Sequence, residues 1–164
     1  MNILKISGLL FASILLLGCG NDELPPVEVM KAEFGVYSKD ANGKFELTPT
    51  KVVPRKLGQS YAWVIRYRGN QEEIRFHEVI VLEKKTKWGV SSKEGDVQKV
   101  KFEEILDGRG LVVTRTIKND GLLAGAWSIS QEDSAGKASI RVFIGKKLIK
   151  EFNFEIKDEE AESK

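Results

Sequence analysis

Two reactive side chains stand alone in this chain of 164 residues: Cys19 is its one cysteine and His77 its one histidine. Nucleophilic catalysis needs a Ser or Cys with a base beside it. His77 lies in the run "IRFHEVI", with Arg75 on its own strand face, and the chain has no Gly-x-Ser-x-Gly elbow. It is therefore expected to be a half-exposed strand residue. A zinc site needs three or four N, S or O ligands, and one histidine among scattered carboxylates does not form such a set. Glu72-Glu73, Glu103-Glu104 and Asp158–Glu160 place carboxyls close in sequence. Adjacent strand residues point to opposite faces, so these neighbours are poorly placed to act together across a cleft. "GDVQ" lacks the acids of a calcium loop, and "GRG" (Gly108–Gly110) lacks the Lys and Ser/Thr of a phosphate loop. No catalytic set, metal or cofactor is expected.

One surface feature suggests binding. "EKKTKWG" (Glu83–Gly89) clusters Lys84, Lys85 and Lys87 beside Trp88 at the end of a strand. Lysine with tryptophan suits membrane headgroups, an anionic glycan or an anionic lipid. The plainer expectation is a solvated loop whose Trp88 folds back on the core. "RYR" (Arg66–Arg68) pairs arginine with tyrosine, a mix that also suits nucleic acid, but an exported chain rarely meets nucleic acid and none is expected here.

The reading of this chain as exported comes from its first residues. Lys5 is the one charge before an apolar run, Ile6–Leu17, broken only by Ser7, Gly8 and Ser13. That run is short of the ~20 residues a spanning helix needs and ends in small residues, as a signal peptide does. Leu16, Leu17, Gly18 and Cys19 stand in the order of a lipobox, and the leader resembles that of bacterial lipoproteins. The resemblance implies cleavage after Gly18 and a diacylglyceryl group on the Cys19 thiol. Removing 18 residues would leave 146, with 25 Lys+Arg against 24 Asp+Glu, a net charge of +1. Bulk charge therefore does not make the protein a polyanion binder. No cysteine would remain for disulfides, and a domain of this size buries enough apolar surface without them.

Residues 19–26 read as the lipidated cysteine and a tether. "GNDELPP" is polar and ends in two prolines, which favour extended chain. Seven residues reach at most about 25 Å, so the domain is expected close to the membrane. In lipoprotein logic an Asp just after the lipidated cysteine retains the protein at the inner membrane. Gly20 holds that place here, which points to the outer membrane, facing the periplasm, in an organism with two membranes.

The mature domain, 27–157, is dominated by period-two alternation. Val27–Tyr37, Tyr61–Arg68, Glu73–Glu83, Leu111–Ile117, Gly125–Ser130, Ser139–Ile144 and "KEFNFEI" each read as strands. In Tyr61–Arg68, Tyr61, Trp63, Ile65 and Tyr67 share one face; in Glu73–Glu83, Ile74, Phe76, Ile80 and Leu82 do. Gly145-Lys146-Lys147 suits a II′ hairpin. Pro49 and Pro54 demote "TKVV" to an edge strand or bulged lead-in. "DVQKVKFEEILDG" (Asp96–Gly108) fits a short helix capped by Asp96 or a strand through Val100 and Phe102, with the strand favoured. The tail 158–164 is charged and expected to fray.

Seven to nine short strands imply an all-β fold, an immunoglobulin-like antiparallel β-sandwich, with a closed barrel as the alternative. "TKVVPRKLGQSYAWVIRYRG" and "GAWSI…GKKLIKEFNFEI" resemble Ig-like domains of an uncharacterised bacterial family found on secreted or lipid-anchored proteins. Against that pattern Gln131–Ser139 looks inserted. The resemblance implies a fold and no activity. The expected function is that of a membrane-anchored envelope lipoprotein, a binding or assembly module without enzymatic activity that meets another envelope protein by edge-strand pairing. The alternatives are a carboxylate-dependent envelope hydrolase and an inhibitor or chaperone of another exported protein.

Overall fold

The computed structural model describes residues 27–39, 42, 44–89 and 100–159. The leader, Cys19, the tether, Asp96 and the last five residues lie outside the described residues. Ten strands are described: β1 (Glu28–Lys39), β2 (Phe45–Pro49), β3 (Val52–Pro54), β4 (Ser60–Arg68), β5 (Glu73–Leu82), β6 (Lys101–Ile105), β7 (Gly110–Lys118), β8 (Leu122–Ser128), β9 (Gly136–Ile144) and β10 (Lys147–Lys157). They form a four-stranded sheet, β2-β1-β4-β8, packed against a six-stranded sheet, β3-β10-β9-β5-β7-β6. The fold is an all-β sandwich, open rather than barrel-like, and richer in strands than the seven to nine expected. The strand not anticipated is β2, whose five residues are too few for alternation to stand out.

Alternation places the core as the sequence indicates. Tyr61, Trp63, Ile65 and Tyr67 of β4 are buried, as are Ile74, Phe76, Ile80 and Leu82 of β5. Each fully buried large apolar side chain contributes roughly 1.5–3 kcal/mol. Between the sheets, Phe34 of β1 packs on Phe154 of β10 with ring centroids 4.6 Å apart, and Trp63 meets Phe76 edge-on at 89°. Such tilted pairs suit the ring quadrupole.

The connections also follow local chemistry. β9 and β10 are joined at Gly145-Lys146, with Lys147 opposite Ile144. Gly145 has φ 57° and Lys146 is not at positive φ, the II′ pattern. β3 is an edge strand that runs parallel to β10, as the flanking prolines require. The segment through Phe102 is a strand, β6, that ends in a 3₁₀ turn at Leu106–Gly108. At the start of the tail, Arg55 Nε donates to Asp158 Oδ1 and Lys56 Nζ lies 3.9 Å from Glu159 Oε1; the rest of the tail lies outside the described residues.

Register gives the sandwich two distinct ends. Glu28 is opposite Arg68 and Tyr37 is opposite Ser60. Val27 therefore enters at the end that holds Gly69–Glu72 and Asn119–Gly121. Glu83–Gly89, Leu106–Gly108 and Ile129–Ala135 gather at the far end. The nine residues of β4 separate the two ends by about 27 Å.

Candidate functional site

The period-two row on β5 runs Ile74, Phe76, Glu78, Ile80, Leu82, so it turns a carboxylate into the apolar interior. Glu78 is 0% exposed. Trp63 of β4 donates its indole N–H to Glu78 Oε2 at 2.6 Å, and Trp127 of β8 donates to the same oxygen at 3.4 Å. Arg115 of β7 brings Nη2 to 3.2 Å from Glu78 Oε1. That contact is an ion pair whose angles miss hydrogen-bond geometry, so Oε1 has no hydrogen-bond donor among the described residues. Burial pushes the Glu78 carboxyl above its ordinary range, while Arg115 and the two indole N–H groups pull it back down. Gly125 on β8 is what admits this arrangement. A Cβ there would lie 2.5 Å from Trp63 Nε1 and 2.7 Å from Glu78 Oε2.

Outward from Glu78, a cleft of about 470 Å³ opens at the far end, between β8 and the overhanging strands β7 and β6. Trp88, Trp127, Phe102 and Tyr61 supply its aromatic surface, and Lys87, Arg115 and Asp133 its charge. Trp88 packs edge-on against Trp127, centroids 5.9 Å apart and planes at 71°. The carboxylate of Asp133 accepts from Thr86 Oγ1 at 2.7 Å and from Ser130 N at 2.8 Å. Asp133 belongs to the stretch that looked inserted, and it buttresses the cleft. The Tyr61 phenol is held far above its ordinary range by burial first, with the charges of Asp133 and Glu78 adding to it.

The rim rests on an unusual turn. Leu106, Asp107 and Gly108 all have positive φ, at 54°, 54° and 82°, and the two non-glycine residues there carry strain of the order of 1–3 kcal/mol each. The turn presents Gly108 C=O to two donors, Trp88 Nε1 at 3.1 Å and Thr86 N at 3.2 Å. Trp88 leans on the core edge yet stays half-exposed. Lys85 pairs with Asp107 at 3.2 Å, Lys87 lies 3.8 Å from Glu132, and Lys84 is exposed. Lys87 and Trp88 line the cleft, and with Lys85 they line a second hollow of about 440 Å³ beside it; Lys84 lines neither.

His77 lies away from this cleft, on the outer face of β5. It is half-buried and stacks on Phe143 with centroids 4.9 Å apart and planes at 6°. Burial and the charge of Arg75 hold its imidazole below its ordinary range. Arg66 and Arg68 are exposed. Among the described residues no group of three or more His, Cys, Asp or Glu side chains is arranged to hold a metal, and no helix is long and apolar enough to cross a membrane.

Glu78, Arg115, Gly125 and Trp127 went unremarked as site residues from sequence. The available signal was the carboxylate at an apolar position of the β5 row.

The fold is similar to the crystal structure of an immunoglobulin-like protein from Pseudomonas aeruginosa, with a TM-score of 0.55 and 19% identity, over 80% of this chain and 97% of that one. No curated protein matches the chain. The PM0630 beta sandwich domain matches residues 32–157. By that match, which spans every strand from the middle of β1 to the end of β10, the chain belongs to the PM0630 beta sandwich domain family.

Proposed function

We propose that this is a lipid-anchored protein of the bacterial cell envelope, a non-enzymatic binding module whose ligand seat is the far-end cleft. The observation that carries the reading is the placement of that cleft. Its aromatic and basic lining stands about 27 Å from the end where Val27 enters, opposite the side on which a tether from Cys19 arrives. An anchor on Cys19 would hold the other end near the bilayer, at the outer membrane facing the periplasm in a two-membrane organism. Lys87 and Trp88 are then turned away from the headgroups of that bilayer, which favours a partner in the envelope over the membrane itself.

The state of the carboxylates supports binding over hydrolysis. A carboxylate hydrolase needs two acids facing a substrate across a cleft. Glu78 is sealed from solvent and engaged by Trp63, Trp127 and Arg115. Asp133 is held by Thr86 and Ser130. Both serve the scaffold. The test is a pull-down after envelope crosslinking, run with wild type and with Lys87→Glu/Trp88→Ala. A reproducible partner lost in the double variant is expected; the same partner recovered by both, or none by either, contradicts the reading.

A further inference from the structure

We propose that the free edge of β8 takes an extended segment of a partner protein as a fifth strand of the four-stranded sheet. This rests on the far-end cleft being the binding seat, and it names what occupies that seat.

The two sheets do not match in width. Gly125 of β8 lies against the Glu78 side chain of β5, so β8 stands over β5 while β7 and β6 continue past it. The overhang leaves Phe102, which is paired with Val113 and 39% exposed, facing no strand among the described residues. Among the described residues no strand lies beside β8 on that side, and the overhang supplies a floor for one.

The backbone of β8 is set to use it. Gly121 C=O accepts from Tyr67 N, and Ile129 N donates to Gln59 O, so the odd-numbered residues face β4. The even-numbered residues turn their N–H and C=O groups outward. Leu122 N–H is taken by Asp120 and Ala124 C=O by Arg115 Nη1 at 3.2 Å. Nothing among the described residues takes the N–H and C=O of Ala126. The other three edges are guarded as natural sheets guard them: β2 by Glu46 and Pro49, β3 by its three residues and Pro54, β6 by Lys101, Glu103 and Glu104. β8, "LLAGAWS", has neither a charge nor a proline.

The same overhang selects the occupant. The overhang of two strand widths, about 10 Å, admits an added strand beside β8. A second copy pairing antiparallel through its own β8 would drive its own β7 and β6 into that space. Of the charged groups lining the cleft, Asp133 is held by Thr86 and Ser130 and Arg115 by Glu78, which leaves the exposed Lys87, 3.8 Å from Glu132, as the charge a ligand meets at the rim. The slot therefore fits an extended segment that is neutral or acidic, with apolar residues at every second position to meet Phe102, Trp88 and Leu111.

The probe is a set of synthetic peptides of about ten residues, with Val, Ile or Phe at alternate positions and Ser, Thr or Glu between. Each is titrated into the ¹⁵N-labelled domain, with amide exchange followed by NMR. Saturable binding is expected to slow exchange at Ala126 and Ser128 about tenfold or more, while Leu123 and Gly125 stay unchanged. Ala126→Pro removes one outward N–H and is expected to weaken binding about tenfold. Lys in place of Glu is expected to weaken it as well. If the proline variant unfolds, the exchange data on wild type decide alone. Peptides that shift the Trp127 indole without protecting Ala126 overturn strand addition and leave the cleft standing. No binding at all, or an Ala126 amide already protected in the free domain, overturns the proposal.

Discussion

Trp63 and Glu78 form the shortest polar contact across the core: an indole N–H on one sheet donates at 2.6 Å to a carboxylate on the other, and both side chains are 0% exposed. The pair ties the two sheets together across the core. Arg115 extends it by holding Glu78 with Nη2 and the β8 edge with Nη1, so one network joins β4, β5, β7 and β8 at the mouth of the cleft.

Removing one member of a buried ion pair strands the other. Glu78→Ala is expected to destabilise the domain by about 3–5 kcal/mol, because it leaves two indole donors and Arg115 without their acceptor. Glu78→Gln keeps an acceptor for Trp63 and should cost less. Urea unfolding followed by tryptophan fluorescence ranks the two, and equal costs would show that the indole bonds contribute nothing.

Gly125 allows no side chain. Gly125→Ala would press a methyl against Trp63 Nε1 and Glu78 Oε2, a clash expected to cost about 1–3 kcal/mol. Ala124→Ser, one oxygen larger on an exposed position of the same strand, should stay within about 0.5 kcal/mol. Melting temperatures of the two variants check this.

The two shifted groups tilt the pH dependence of stability in opposite directions. Glu78 holds its proton more tightly when folded than at its ordinary 4.5, so its contribution is fullest below that value and is lost as pH rises through the raised folded pKa. His77 holds its proton less tightly than at its ordinary 6.5, so its contribution is present above 6.5 and is lost as pH falls through the depressed folded pKa. Glu78→Gln should flatten the decline on the rising side and His77→Gln the decline on the falling side, read as urea midpoints across pH 4 to 8.

Lipid attachment depends on one thiol. Cys19→Ala is expected to leave the protein in the aqueous phase of a detergent partition, where the wild type enters the detergent phase. Equal partitioning of the two would remove the anchor from the account.

The architecture was legible because alternation is a long-range signal in long strands. β4 and β9 each show an unbroken apolar face, β5 one interrupted only by Glu78 and β10 one through Phe152, Phe154 and Ile156, and even the II′ hairpin at Gly145 could be read from residue types. Short strands carry too few alternations, which is why β2 passed unnoticed. The cleft was half legible. Lys87 and Trp88 stood out as a cluster, but Trp127, Phe102 and Arg115 come from separate strands and meet only through register. Glu78 looked like one polar residue in "FHEVI", and only the row it interrupts marks it as buried. The unequal width of the two sheets, which opens the cleft, is a property of strand order and leaves no local trace.

The decisive measurement is site-specific photocrosslinking in living cells, with a photoreactive amino acid at Lys87 on the cleft and, as the comparison, at Asn70 at the end where Val27 enters. A discrete adduct from position 87 and none from position 70 is the predicted result. Adducts from position 70 alone, or the same adducts from both, would contradict a binding seat at the far end of the sandwich.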